Sequence, residues 1–472
     1  MKKRLFLIFI IALITVLSAC SSGNNEARTE SGESGGTAEA DLDELDGEFD
    51  WKRFEGSEIN VALNDHPYTE AILERLPEFE EKTGITVNDS VTPEENYFDK
   101  LSTNLNAGNG NPDVFMTGAY QIWEYAPSGY IQSLDEFIED ERRTGEEFDQ
   151  EDYFEGVLNA NRWDGVPGNP VGEGDLWALP LGFEYNALSY NKRALEEAGI
   201  DEVPETLDEL IEVGEQLNGW NGEGSYGIGV RGTRSWATIH PGFMTSFANH
   251  GAEDFVVEDD QLKPQLNSPE AVEITDKFAQ MIRTAGPSDW TNYTWYQVSS
   301  DLGAGKAAIT YDANTFSFFN NQEGATAEAG NMALAPPPKT KDGELGSNMW
   351  VWSLAMNSTS EKKDAAWLFM QYFSGKEHTK WGAENMDVIE PVRQSAYESD
   401  GYQNRIADID GYKETFETMI DNATIEFTPQ PQFFNATTEW AEALQDIVNG
   451  DDTQERLDEL NDSIENRVSR IR

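Results

Sequence analysis

An α/β fold, with strands and helices alternating about mostly parallel sheets, is predicted by three observations. Between Glu58 and Val87, Ile59, Val61 and Leu63 alternate, Ala71, Leu73, Leu76 and Phe79 share a helical face, and Gly84-Ile-Thr-Val87 follows as a second strand. That β-α-β order predicts a parallel pair with ligands at the strands' C-terminal ends. The stretch Gly174–Ile200 repeats the logic. Apolar runs at Leu176–Leu181 and Ala187–Tyr190 flank a Gly-Phe-Glu-Tyr-Asn corner. A turn at Asn191-Lys192 then leads to a helical face of Ala194, Leu195 and Ala198, closed by Gly199. Finally, the chain has 472 residues, enough for two or three domains.

The first 19 residues read as an export signal. Lys2, Lys3 and Arg4 precede Leu5–Leu17, an almost wholly apolar run too short for a membrane span of about 20 residues. It ends in Leu-Ser-Ala-Cys, which resembles the lipobox of bacterial lipoproteins, where Cys20 is acylated and becomes the mature N-terminus. The chain contains no other cysteine, so internal disulfides are excluded. Residues 20–50 are rich in Ser, Gly, Glu and Asp, as expected of a disordered tether on the lipidated cysteine.

Charge bounds the partners. The chain carries 88 acidic and 33 basic residues, a formal net charge of −55. Losing the three basic residues of the signal leaves −58. Such a field excludes nucleic acid and an anionic membrane face as partners and disfavours a strongly anionic ligand. Acidic residues spread over every segment predict a solvated surface adapted to high salt.

In chain order, the first strand ends in a polar Asn64-Asp65-His66 loop, and Pro77 is expected to kink or restart the helix that follows. Pro112-Asp113 precedes a short apolar strand, with Thr117 and Tyr120 just beyond it. Tyr-Gly-Ile-Gly-Val-Arg-Gly matches G-x-G-x-x-G at Gly227, Gly229 and Gly232, but Trp-Asn-Gly-Glu-Gly-Ser before it is no buried strand, so a dinucleotide site is not expected. Arg234, Ser235, Trp236 and His240 follow at a helix start.

Leu-Asn-Ser-Pro-Glu-Ala-Val-Glu opens a helix with proline in its first turn. Trp290, Trp295 and Tyr296 then crowd a polar loop, where flat rings suit the apolar faces of sugars. After the next strand come Asp312, Asn314 and Thr315. Trp350 and Trp352 share one strand face, so one is expected at a ligand and the other in the core. Ser358-Thr-Ser-Glu361 is a capping-box pattern, and Leu457, Leu460, Ile464 and Val468 mark a closing amphipathic helix.

Several of these stretches resemble one family. Pro-Leu-Gly-Phe-Glu…Ala-Leu-Ser-Tyr-Asn-Lys…Ala-Gly-Ile, Phe-Glu-Glu-Lys-Thr-Gly-Ile-Thr-Val, Asn-Pro-Asp-Val-Phe-Met, Gly-Lys-Ala-Ala-Ile and Pro-Val-Arg-Gln-Ser-Ala are similar to the maltose-binding type of extracellular solute-binding protein, the sugar receptors of ABC importers. The resemblance runs in order from about residue 58 to 445. It implies a two-lobed periplasmic-binding-protein-like fold (type II) with the ligand in a cleft. Lobe one would hold 51–182 and 354–425, and lobe two 183–353 and 426–472. The implied function is capture of a mono- or oligosaccharide and delivery to a permease. The receptor would be a monomer, held to the outer face of the cell membrane by lipid on Cys20.

The expected ligand-binding residues are Asn64, Asp65, Thr117, Tyr120, Glu184, Tyr185, Trp236, Trp295, Asp312, Asn314, Trp350 and Arg393. Glu184 aligns with a glutamate near the sugar in that family. Arg393 could equally serve a structural ion pair.

No catalytic or cofactor motif appears. The four histidines are scattered without H-E-x-x-H or zinc-ligand spacing, and G-x-S-x-G is absent, so no metal, cofactor or catalytic residue is expected. The carboxylates are too numerous for a glycosidase pair to be ruled out by counting. A secreted carbohydrate-active enzyme, or a receptor for a peptide or polyol, therefore stays open as an alternative.

Overall fold

The computed structural model describes residues 47–469 and Ile471, so the export segment, Cys20 and most of the expected tether lie outside the described residues. Phe49, at the tether's expected end, already packs edge-on against Trp51 with ring centroids 5.2 Å apart. The folded body therefore starts before residue 51.

Its strands, in chain order, are β1 (Glu58–Asn64), β2 (Thr86–Thr92), β3 (Val114–Gly118), β4 (Arg162–Trp163), β5 (Asp175–Leu176), β6 (Ala178–Asn191) and β7 (Tyr226–Gly229). Then come β8 (Phe255–Glu258), β9 (Gln261–Pro264), β10 (Ala307–Ala313), β11 (Met332–Ala335), β12 (Ser347–Met356) and β13 (Ala423–Thr424). Nine of them join in the order β2-β1-β3-β12-β6-β10-β7, with β11 beside β6 and β13 beside β12. The pairs β1–β2, β1–β3 and β10–β7 are parallel, as the β-α-β reading requires. β6 and β12 run antiparallel to each other, β12 to β3 and β6 to β10, while β13 lies parallel to β12. Helices flank the sheets, and the apolar residues of β1, β3, β6, β10 and β12 form the core between them.

Three expectations are corrected. The helix Pro67–Thr83 runs unbroken through Pro77, which forfeits one backbone donor, and it ends at Gly84 in the left-handed region (φ 73°). The two apolar runs around Glu184 are one continuous 14-residue strand, β6. It survives its polar interruption because the backbone there keeps partners: Tyr185 N–H donates to Asn314 Oδ1 at 3.2 Å, and Asn186 N–H to Ser347 Oγ at 2.8 Å. A lobe boundary at 182/183 thus falls inside a strand. The capping box at Ser358–Glu361 does not form, and the helix begins at Lys363. Ser358 Oγ is engaged elsewhere, donating to the Gly129 carbonyl at 2.5 Å.

The glycines of the discounted G-x-G-x-x-G have a packing role. A Cβ on Gly227 would lie 2.0 Å from the Gly214 carbonyl oxygen, and one on Gly232 2.1 Å from that of Trp290. At the C-terminus, Leu457, Leu460, Ile464 and Val468 are the buried face of the helix Thr453–Val468, as their spacing predicts.

Candidate functional site

The ends of β1, β7 and β10, the starts of five helices, and the middle of β6 and β12 converge on a cavity of about 50 Å³. That is room for on the order of four water molecules. β12 contributes Trp350 and Trp352, whose rings meet edge to face at 5.1 Å. Both line the cavity, against the expectation that one would be core; residues two apart on a strand point the same way. Trp236 packs against Trp350 at 5.2 Å, and His66, at the end of β1, packs against Trp352 at 5.0 Å. Phe316 and Phe319, from the helix Thr315–Asn321, complete an aromatic wall.

The floor is electrostatic. Arg231 follows β7 and Asp312 lies on β10, each two residues beyond the Gly229–Thr310 pair of the parallel register, so the two side chains meet. Arg231 donates through Nε (2.9 Å) and Nη2 (2.6 Å) to Asp312, and through Nη1 to the Ala237 carbonyl at 3.3 Å. The same Nη1 lies 3.0 Å from His240 Nε2. With Arg231 at 7% and Asp312 at 0% exposure, the ion pair is sealed beneath the cavity and its charge is internally balanced.

Glu184 is different. It projects from β6 opposite Trp350, is reachable only from the cavity side, and accepts no hydrogen bond from the described residues. Burial pushes its carboxyl up to about 7; Arg231 pulls it down, while Asp312 and Glu94 push it further up. Glu94, the first residue of the helix Glu94–Asn106, is likewise raised by burial. Burial holds His66 down at about 3 and His240 well below the usual imidazole range, so both rings are neutral at pH 7. Among the described residues, the site therefore offers an aromatic box, one unpaired carboxyl acceptor and no free cation.

Of the expected ligand residues, Glu184, Trp236, Trp295 and Trp350 come together here. Tyr120 is fully buried behind them: its ring packs against Trp350 at 4.9 Å, and its hydroxyl donates to the Met349 carbonyl. Asp312 acts through Arg231, and Asn314 bonds the β6 backbone and the buried Glu390. Tyr185, Asn64 and Thr117 are buried within the sheet, and Asp65 is exposed outside the cavity. Arg393 does not line the cavity and takes the structural alternative: wholly buried, it pairs with Asp152 at 3.7 Å, donates to the carbonyls of Ser374 (2.8 Å) and Asp149 (2.7 Å) and stacks over Tyr153 at 3.7 Å. Trp290 is core, covering Gly232.

The expected set leaves out His66, Glu94, Arg231, Trp352, Phe316 and Phe319. The first two sit where a helix starts after a strand's C-terminal end, a position the β-α-β rule marks in advance.

Residues 65–380 match the family model described as bacterial extracellular solute-binding protein. The chain is 43% identical over 447 residues to the erythritol/L-threitol-binding protein of Mycolicibacterium smegmatis, covering 95% of this chain and 91% of that one. Among solved structures, it superposes with a TM-score of 0.74 on an ABC transporter solute-binding protein of Agrobacterium vitis with bound D-mannitol. There the identity is 22%, and 88% of this chain and 99% of that one are covered. A second neighbour, from Agrobacterium radiobacter and in complex with ribitol, also gives 0.74 at 20% identity, over 87% and 98% of the two chains. At these identities the two structures speak to the fold.

Proposed function

The chain belongs to the bacterial extracellular solute-binding protein family, and from that premise we propose that it is the receptor of an ABC importer for a small polyol. The observation that carries this reading is the cavity: four tryptophans close around about 50 Å³, with the Glu184 carboxyl as acceptor inside. Indole faces suit the C–H faces of a polyol, and an unpaired carboxylate accepts its hydroxyl hydrogens. A space this small disfavours an oligosaccharide, and the lobes have to part to seat even a short polyol chain. The relative from M. smegmatis, named for erythritol and L-threitol, supports a short chain.

Capture is by closure of two lobes. One comprises the strands from β2 to β12, the other those from β10 to β7 with β11, and β6 passes between them. Cys20, acylated, tethers the body to the membrane, and the closed receptor delivers its ligand to the permease. The site binds rather than reacts.

Titration calorimetry at high salt with erythritol, L-threitol, ribitol, D-mannitol and maltose tests this. Tetritols are expected to bind tightest and unchanged polyol to be recovered after long incubation. Silence toward every polyol, or consumption of any of them, overturns it.

A further inference from the structure

The cavity has a rim as well as a wall. Trp350, Trp352, His240 and Arg231 are nearly inaccessible, whereas Glu94 and Trp295 are partly exposed and are flanked on the outside by Glu95 and by Tyr296, which is 50% exposed. Glu94 begins the helix after β2, and Trp295 begins the helix Trp295–Gly303, before β10. They come from opposite sides of the site, 201 residues apart, yet Trp295 Nε1–H donates to Glu94 Oε2 at 3.3 Å. Both also line the cavity.

The Trp295 end is held firmly. Thr294 and Gln297 form a capping box that fixes the helix start, the Trp295 ring stacks on Tyr296 at 3.7 Å, and the Phe316 ring lies nearly parallel to it at 6.5 Å. The Glu94 end carries no competing ion pair among the described residues.

Resting on the polyol-receptor reading, we propose that the Glu94–Trp295 bridge is the element that sets ligand length, a crossbar over the mouth that admits short acyclic polyols and shuts out longer chains and rings. A chain short enough to lie beneath the bridge leaves it intact; one that is longer has to break it. Breaking it costs a hydrogen bond to a charged acceptor and exposes the indole, so discrimination falls on length rather than on hydroxyl configuration. Tyr296 lies outside the bridge and supports it only through its stack on the Trp295 ring.

The test is a ladder of neutral ligands (glycerol, erythritol, ribitol, D-mannitol and maltose) titrated into the full chain and into Glu94→Ala, Trp295→Phe, Trp295→Ala and Tyr296→Ala. The erythritol-to-mannitol affinity ratio is expected to fall at least about tenfold in Glu94→Ala and Trp295→Ala, and by less in Tyr296→Ala, which removes only the stack. Trp295→Phe keeps the ring but not the donor and should fall between. In the double variant Glu94→Ala/Trp295→Phe the effects should not add. An unchanged ratio in both Ala variants, or strict additivity, overturns the proposal.

A second arm needs no ligand. The Trp295 indole ¹⁵N–H resonance, identified by its loss in Trp295→Phe, should shift and exchange faster with solvent in Glu94→Ala; if it does neither, there is no bridge. Wild-type silence across the ladder would instead overturn the polyol reading, and the indole arm would still decide the bridge.

Discussion

At the scale of single residues, two buried carboxyls do different work. Glu184 faces the cavity, and Glu184→Gln keeps its shape while removing its charge. Hydrogen bonds to charged groups contribute about 1.5–3 kcal/mol, so polyol affinity should fall about ten- to a hundredfold in calorimetry at pH 8. Because its carboxyl is pushed up to about 7, wild-type affinity should rise between pH 6 and 8 as it ionises, whereas the Gln variant stays flat. Glu390 is sealed: it accepts from the Asn314 amide and the Tyr412 hydroxyl, and its Oε2 has no partner. Burial raises its carboxyl from 4.5 to about 8. The folded state therefore holds this proton more tightly than the unfolded chain, so stability drains away as pH rises from 4.5 to 8 and levels off above. Glu390→Gln, a permanent mimic of the protonated form, should melt increasingly above wild type across that window. Parallel melting curves at all pH values would mean that Glu390 is ionised throughout.

At the scale of elements, β3 and β12 hold the aromatic wall by close approach. A Cβ on Gly118 would lie 1.9 Å from Trp350 Cη2, so Gly118→Ala has to push the indole toward the cavity. Overpacking of this kind costs about 1–3 kcal/mol, and both melting temperature and polyol affinity should drop. Gly156→Ala, whose new methyl would meet nothing nearer than 3.9 Å, is the control that should change neither. Strand and helix identity was largely legible in the chain, because alternation at Ile59–Leu63 and helical spacing at Leu457–Val468 are local signals. β6 was not legible as one strand: Glu184 and Asn186 look like an interruption until Asn314 and Ser347, more than a hundred residues away, satisfy the backbone there. The site was half legible for the same reason. Tryptophans in polar company stand out anywhere, but Arg231 acquires meaning only once the β7–β10 register puts Asp312 beside it. Glu94 acquires it only once Trp295 arrives from the other side of the cavity. Arg393 stays ambiguous in the chain, because an arginine near a serine reads the same whether it serves a ligand or a structural ion pair.

At the scale of the whole molecule, charge sets the working conditions. A body carrying an excess of more than fifty acidic residues repels itself over roughly 30 Å at 0.01 M salt but only about 3 Å at 1 M. Melting temperature should therefore climb by several degrees from low to molar salt, with potassium chloride and sodium chloride acting alike. A salt-independent melting point would show that the acidic surface is neutral to stability. The connection between the two halves of the sheet has a mechanical consequence. β6 and β12 pair from Met349–Tyr185 to Ala355–Ala178, with one register shift at Trp352/Ser353. Two strands laced along their length cannot swivel like a pin joint, so the closure proposed above would have to twist this pair as a torsion bar.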